Sequence, residues 1–207
     1  MVKIADVILG LRSRLGDTDV SNRRYSDPEM IDAVNSALAH LSEELLCFRR
    51  TWRVPCADGV GRYELPEDFL RPISVNYNDA LITDVESMEH RMNRNGLNDP
   101  GVSYDLQTLH VFPSANVKEG DVIEFYYNYF ETVNDGRDTV ALPNNAKEAV
   151  ICYALHLLYQ NPILKLSDRV KLSTHYLQLY EVAVGPLKSR VRMNAQSKNM
   201  RSNFVKV

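Results

Sequence analysis

Apolar residues recur every three or four positions at both ends of the chain and every second position through its middle. Near the start, Ile4, Val7, Ile8, Leu11 and Leu15 share one face of a helix predicted over residues 2–15, which Gly16 ends. After the polar loop DTDVSNRRY, Ser26-Asp27-Pro28-Glu29 reads as a capping box with proline in the first turn. There the Ser26 and Glu29 side chains can each accept from the other's backbone N–H. From that point Ile31, Val34, Leu38, Leu41, Leu45 and Phe48 make the clearest helical stripe in the sequence, and such a stripe needs other helices to lie against.

After Arg50 the period falls to two. TWRVPCA, GRYEL, PISVNY, TLHVF and DVIEFYYNYF are short runs rich in β-branched and aromatic residues, separated by Asp-Gly, Asn-Asp, Asp-Pro-Gly and Glu-Gly-Asp turn signals. In the last run Ile123, Phe125, Tyr127 and Tyr129 share a face. DVESMEHRMNRNG spells a short exposed helix between strand pairs.

Helical spacing returns after Pro143, with Asn144 or Asn145 as the expected cap of AKEAVICYALHLLYQ and a stop at Asn161-Pro162. Ser167 or Asp168 opens the last helix, in which Val170, Leu177, Tyr180 and Val184 line up. Gly185-Pro186 should end or bend it; if it bends, Leu187 and Val191 continue the stripe. The expected architecture is α+β, mainly an α-helical bundle of about four helices (residues 1–50 and 143–192). A β-rich insertion (51–142) lies between helices two and three, and a flexible, extended basic tail occupies 193–207.

Composition narrows the function. No run of about 18 apolar residues occurs, so no membrane span is expected. Asp6, Arg12 and Arg14 interrupt the first apolar stretch, which argues against a secretory signal. Cys47, Cys56 and Cys152 form no C-x-x-C and fit reduced, mostly buried thiols. Charge is uneven. The formal net charge is −3, yet no Asp or Glu follows Glu181, whereas Lys188, Arg190, Arg192, Lys198, Arg201 and Lys206 do. An acidic body with a basic end points to a partner for that end.

Little in the sequence spells chemistry. Cys152 and His156 lie four apart on a helix, as metal ligands would, but two ligands make no zinc site and HExxH is absent. They read as a buried thiol beside a helix-borne histidine, and His40 with Cys47 reads the same way. Glu43 and Glu44 point to different sides of a helix and read as a solvated face. Glu67-Asp68 belongs to a turn, and DGVG at 58–61 reads as a hairpin turn rather than a phosphate cradle. Nucleophile-elbow, Walker and G-x-G-x-x-G motifs are missing. No catalytic, cofactor or metal residue is expected. The basic end has no aromatic residue for base stacking except Phe204.

One stretch remains, RYELPEDFLRPISV from Arg62 to Val75: a strand, an acidic turn and a second strand. Pro66 removes a ladder donor and sets the turn, Asp68 is placed to bond nearby backbone donors, and Phe69 and Leu70 plug the corner into apolar surface. Taken in order, the first helix ending in LGD, RYSDPEMIDAVNSALAHL, YELPEDFLRPISV, GVSYDLQTLHVFPSA, IEFYYNYF and ALPNNAKEAVICYAL resemble head-to-tail adaptor (head completion) proteins of tailed bacteriophages, over about Ile4 to Tyr159.

The resemblance implies a structural virion protein of the neck, assembled in the host cytoplasm. Its expected partners are the portal, a tail, nozzle or stopper protein, and its own copies in a ring of about twelve. Duplex DNA would pass through the channel without being read. By position, the portal contact falls on Lys188 to Val207, with Lys188, Arg190, Arg192, Lys198, Arg201, Phe204 and Lys206 as its residues. A tail-facing platform falls on Tyr63 to Pro113, with Tyr63, Leu65, Pro66, Asp68 and Phe69 at its corner. Two other classes stay open: a DNA-binding or packaging accessory protein, and a virion-associated cell-envelope hydrolase.

Overall fold

The computed structural model describes residues 1–78, 80–82, 85–94, 101–160 and 166–203; at 93–94, 115, 166–167 and 192–203 only the backbone is described. In chain order the first elements are β1 (Val2–Lys3), α1 (Ile4–Leu15), α2 (Asp27–Leu45), β2 (Arg49–Pro55), β3 (Arg62–Glu64), β4 (Phe69–Tyr77), β5 (Ala80–Ile82) and β6 (Glu86–Ser87). Then come α3 (Met88–Arg94), β7 (Gly101–Tyr104), β8 (Thr108–Phe112), β9 (Val122–Tyr129), β10 (Thr139–Val140), α4 (Lys147–Leu158) and α5 (Leu166–Asn203). The α+β class is the observed one. The chain divides into two compact units, Met1–Cys47 with Glu131–Val207, and Phe48–Phe130.

In the helical unit the sequence signals act as written. Gly16 takes a left-handed φ of 65° and closes α1, its N–H and that of Asp17 returning to the last turn. Ser26 and Glu29 form the capping box of α2, with Ser26 N–H donating to Glu29 Oε2 at 2.7 Å. The buried face of α2 is Met30, Ala33, Val34, Ala37, Leu38, Leu41, Ser42 and Leu45. The helix α4 buries residues nearly all round and packs against α1, α2 and α5, as its high apolar content requires. Gly10 permits the α1 contact, because a Cβ there would stand 2.8 Å from Ile151 Cδ1.

Several expectations change. Residues 131–142 belong with the helices rather than with the β-rich segment. Glu131 N–H reaches Ser42 Oγ (3.5 Å), and Asn35 brackets Val133 through both its amide atoms (2.9 and 2.8 Å). Val133, Val140 and Leu142 are buried there, and β10 pairs with β1. Neither Asn144 nor Asn145 caps α4; a 3-10 turn over Asn144–Ala146 leads into it, and Ala146 stands at the cap without a side-chain bond. The expected stop at Asn161-Pro162 lies outside the described residues.

In α5 the buried stripe is Ser173, Tyr180, Val184 and Leu187, while Val170 is exposed. The helix runs through Pro186, and over 193–203 the backbone is helical where an extended tail was expected. After Pro186 the sequence has neither glycine nor proline, and Ala195, Gln196, Lys198, Met200 and Arg201 are good helix formers, so a missing apolar stripe does not end the helix. Residues 204–207 lie outside the described residues. No helix among the described residues is long and apolar enough to cross a membrane.

The second unit holds two four-stranded sheets, ordered β2-β9-β4-β5 and β3-β8-β7-β6. The first is antiparallel throughout; in the second, β6 pairs parallel to β7. Val75, Ile123, Phe125 and Tyr127 of one sheet share a single apolar cluster with Val102, Leu109 and Val111 of the other.

Candidate functional site

The corner at residues 62–75 carries the chain from one sheet to the other. Leu65 N–H donates to the Gln107 carbonyl at 2.8 Å, extending β3 on β8. The Pro66 carbonyl accepts from Phe69 N–H at 2.9 Å, closing the turn, and β4 begins at once in the opposite sheet. Asp68 was expected to bond backbone donors. Its carboxylate instead accepts from Tyr127 OH at 3.0 Å and pairs closely with Arg50, whose guanidinium lies 4.1 Å from the centre of the Tyr129 ring. Burial, reinforced by the bond to Asp68, pushes the Tyr127 phenol up to about 12.

Phe69 stacks on Phe125 (5.7 Å) and meets Tyr104 edge-on (5.8 Å), so it anchors the corner and presents little to a partner. The Tyr63 hydroxyl donates to the Val60 carbonyl at 2.6 Å, and burial first, then Cys56, raises its pKa to about 12. The expected platform residues thus gather at one corner, where Phe69 enters the ring cluster and Tyr63 and Asp68 are tied by side-chain bonds. Leu65, Pro66 and Asp68, with Trp52 and Glu67, line an open groove of about 570 Å³ beside it.

At the basic end, Lys188 is already engaged. Its Nζ donates to Glu44 Oε1 at 2.9 Å, and the Tyr180 hydroxyl donates to Glu44 Oε2 at 2.5 Å. Glu44 was read as part of a solvated face, yet its side chain is 24% exposed and ties α2 to α5. Its partners lie 136 and 144 residues away, beyond the reach of any local pattern. Burial works to raise the Glu44 pKa, but Tyr180 and Lys188 outweigh it and hold the carboxyl below its ordinary value.

The sign of the pH effect follows. A depressed carboxyl stabilises the fold above its unfolded pKa and loses that contribution as pH falls through the folded value. Glu44→Gln should therefore cost about 1–2 kcal/mol at neutral pH and flatten the acid limb of a helical-unfolding titration. A limb identical to that of the unsubstituted protein would refute this role for Glu44. Arg190 is exposed; the side chains of Arg192, Lys198 and Arg201 lie outside the description, as do Phe204 and Lys206 entirely.

Cys152 and His156 do not converge. The Cys152 thiol donates to Glu148 Oε1 at 3.4 Å beside Arg14, and burial, then Glu148, pushes it up to about 11. His156 Nδ1 lies 2.9 Å from Ser173 Oγ, joining α4 to α5. His40 stacks on Tyr153 at 4.2 Å. No group of three His, Cys, Asp or Glu that could hold a metal occurs among the described residues. Among the described residues, Glu29, Glu44, Asp105, Glu124 and Glu148 are each held below the ordinary carboxyl value by hydrogen-bond donors, the opposite of an acid kept protonated in a cleft.

Two features went unseen in the sequence. Arg12, noted only as an interruption of the first apolar stretch, is 6% exposed and pairs with buried Asp17 at 2.7 Å. The two-residue strand β1 is too short for any periodicity. An arginine followed five residues later by aspartate, across a helix-ending glycine, was the available signal for the first.

Residues 2–202 match the SU10 adaptor protein family. The chain belongs to that family. The resemblance to head-to-tail adaptors stated from the sequence is thereby borne out, and the role of this SU10 adaptor family member is a structural, adaptor one. Among solved structures, it is similar to a chain described as the neck of an empty GTA particle, computed with C6 symmetry. The identity is 12%, over 85% of this chain and 92% of that one; the TM-score of 0.31 carries no argument. No curated protein matches.

Proposed function

We propose that this SU10 adaptor family member is a non-enzymatic head-to-tail adaptor of a tailed-phage virion, sited in the neck between portal and tail. Copies form a ring beneath the portal, of about twelve in the related adaptors, extend the DNA channel, and offer a docking surface to a tail, nozzle or stopper protein. The observation that carries this reading is the family match over nearly the whole chain. The fold agrees in kind: a helical unit ends in a long helix whose last third bears only positive charge, and a separate two-sheet unit has a tightly bonded corner. Lys188 serves the body through Glu44, so the portal contact is assigned chiefly to Arg190, Arg192, Lys198, Arg201, Phe204 and Lys206. Assembly takes place in the host cytoplasm, and DNA passes without sequence readout.

Deleting residues after Met193 tests the portal assignment. The shortened protein should lose no more helical signal than the removed turns of α5 supply, keep its Trp52 signal, and fail to co-migrate with the portal in a mass measurement, whereas the full chain joins it. Undiminished joining would overturn the assignment. The rival reading, DNA binding through the basic end, predicts retardation of any duplex with a steep loss on adding salt.

A further inference from the structure

Among the described residues, the sheet β2-β9-β4-β5 has no strand beyond β2 or beyond β5. Along β2, Tyr129 N–H donates to the Phe48 carbonyl at 3.3 Å, and beyond its other end Cys56 N–H donates to the Asp121 carbonyl at 2.9 Å. In an antiparallel pair, bonded and non-bonded residues alternate. Phe48, Arg50, Trp52, Val54 and Cys56 therefore bond to β9 and its extension, while Arg49, Thr51 and Arg53 turn N–H and C=O away from the sheet. These three residues are exposed.

At the other end, Asn78 N–H donates to the Val122 carbonyl at 3.3 Å, which places Asn76, opposite Glu124, in the bonded phase toward β9. Leu81, opposite Asn76, then turns its own N–H and C=O outward, and it is 64% exposed. The two edges share one phase: Arg53, Glu124, Asn76 and Leu81 form a single row across the sheet, on one face.

We infer that β2 of one copy pairs antiparallel with β5 of the next, with Leu81 opposite Arg53 or Thr51, so that this sheet continues from copy to copy. The inference rests on the adaptor reading and names the contact by which its copies meet side by side. Successive strands alternate in direction, so a copy placed beside another without being turned over presents β5 antiparallel to β2, outer face to outer face. Edges at opposite ends of one sheet cannot close a two-fold dimer; they propagate, as a ring or filament does.

Charge selects this pairing over β2 with itself. Arg50 is paired with Asp68 and Arg53 with Glu124, which leaves Arg49 as the exposed charge of the β2 edge, and two such edges set side by side would repel. In sequence β5 is bracketed by Asp79 and Asp84, of opposite sign. The ladder is short, well below what a stable dimer buries, so in free solution it forms transiently, where irreversible cross-linking collects it, and it persists where copies are held side by side.

The test is thiol trapping with a short bis-maleimide in concentrated solution, in a Cys47→Ser background. Chains carrying Leu81→Cys together with Thr51→Cys, or with Arg53→Cys, should give a ladder of dimer, trimer and higher species; each single variant should give none. Thr51→Pro, which removes an outward N–H and no bond to β9, should abolish ladders made with the 53–81 pair while leaving the Trp52 unfolding transition in place. Rings seen by mass measurement without any 51–81 or 53–81 product would overturn the strand pairing and leave the adaptor reading standing. A dominant product of Thr51→Cys alone would overturn it in favour of β2 self-pairing. Absence of all trapping would overturn it too, the adaptor reading being judged separately by joining to the portal.

Discussion

Arg12→Met should lower the stability of the helical unit by about 3–5 kcal/mol, enough to move the urea midpoint of its helical signal by more than the width of ordinary error. The cause is Asp17, not the lost arginine stem. Asp17 is 5% exposed; among the described residues Arg12 is the cation paired with it, at 2.7 Å, and the backbone N–H groups of Arg24 (2.5 Å) and Tyr25 (3.3 Å) also donate to it. The guanidinium also donates to the Tyr25 carbonyl at 3.2 Å and to Asp27 at 2.5 Å, holding that carboxyl below its ordinary range.

One side chain thus fixes the loop between α1 and α2, and Tyr25 in turn donates to the Leu158 carbonyl at the end of α4. Removing it leaves a buried carboxylate without its cation. The double variant Arg12→Met with Asp17→Leu should recover much of the loss, because no charge then stays behind. A single-variant cost below about 1 kcal/mol, or no recovery in the double, would show that the pair is not what organises the loop.

Phe125→Ala should cost the two-sheet unit about 3–5 kcal/mol. Phe125 is fully buried, lies face to face with Phe69 and Tyr127 at 5.7 Å each, and meets Trp52 at 6.3 Å. Phe69 is the residue through which the corner enters the core, so the cavity opens beneath the platform itself. The chain has one tryptophan, and it touches the site of substitution, so Trp52 fluorescence reads this unit specifically. The Trp52 transition should shift to markedly lower urea, and Phe125→Leu, leaving a smaller void, should shift it less. An unmoved transition would mean that the two sheets do not depend on this ring cluster.

The elements most legible in advance were those whose signal is local. A serine and a glutamate three apart opened α2, glycine closed α1, and alternation marked β2, β4, β8 and β9. The corner at Pro66 was visible as a corner. That it joins two different sheets was not, because strand order depends on which edges meet and periodicity says nothing about that. The boundary near residue 131 was missed for the same reason: Thr139 and Val140 join the helices only because β1, far away in sequence, offers them an edge.

Candidate site residues divide along the same line. The sequence could group Tyr63, Leu65, Pro66, Asp68 and Phe69, since they are neighbours along the chain. Which of them are tied down, and to what, depended on Tyr127, Arg50 and Phe125, each at least 18 residues from the contact it makes.

By itself the sequence determined the α+β composition, the ends of the early helices, the concentration of positive charge after Glu181 and the family. These rest on residue type, on neighbours within a turn, or on motif order. Only the tertiary structure decided that Arg12 and Glu44 are internal pins, that Lys188 is spent on the body, and that one sheet ends, among the described residues, at β2 and β5. Burial and pairing are properties of side chains brought together from distant positions, and a linear pattern carries no distance between them.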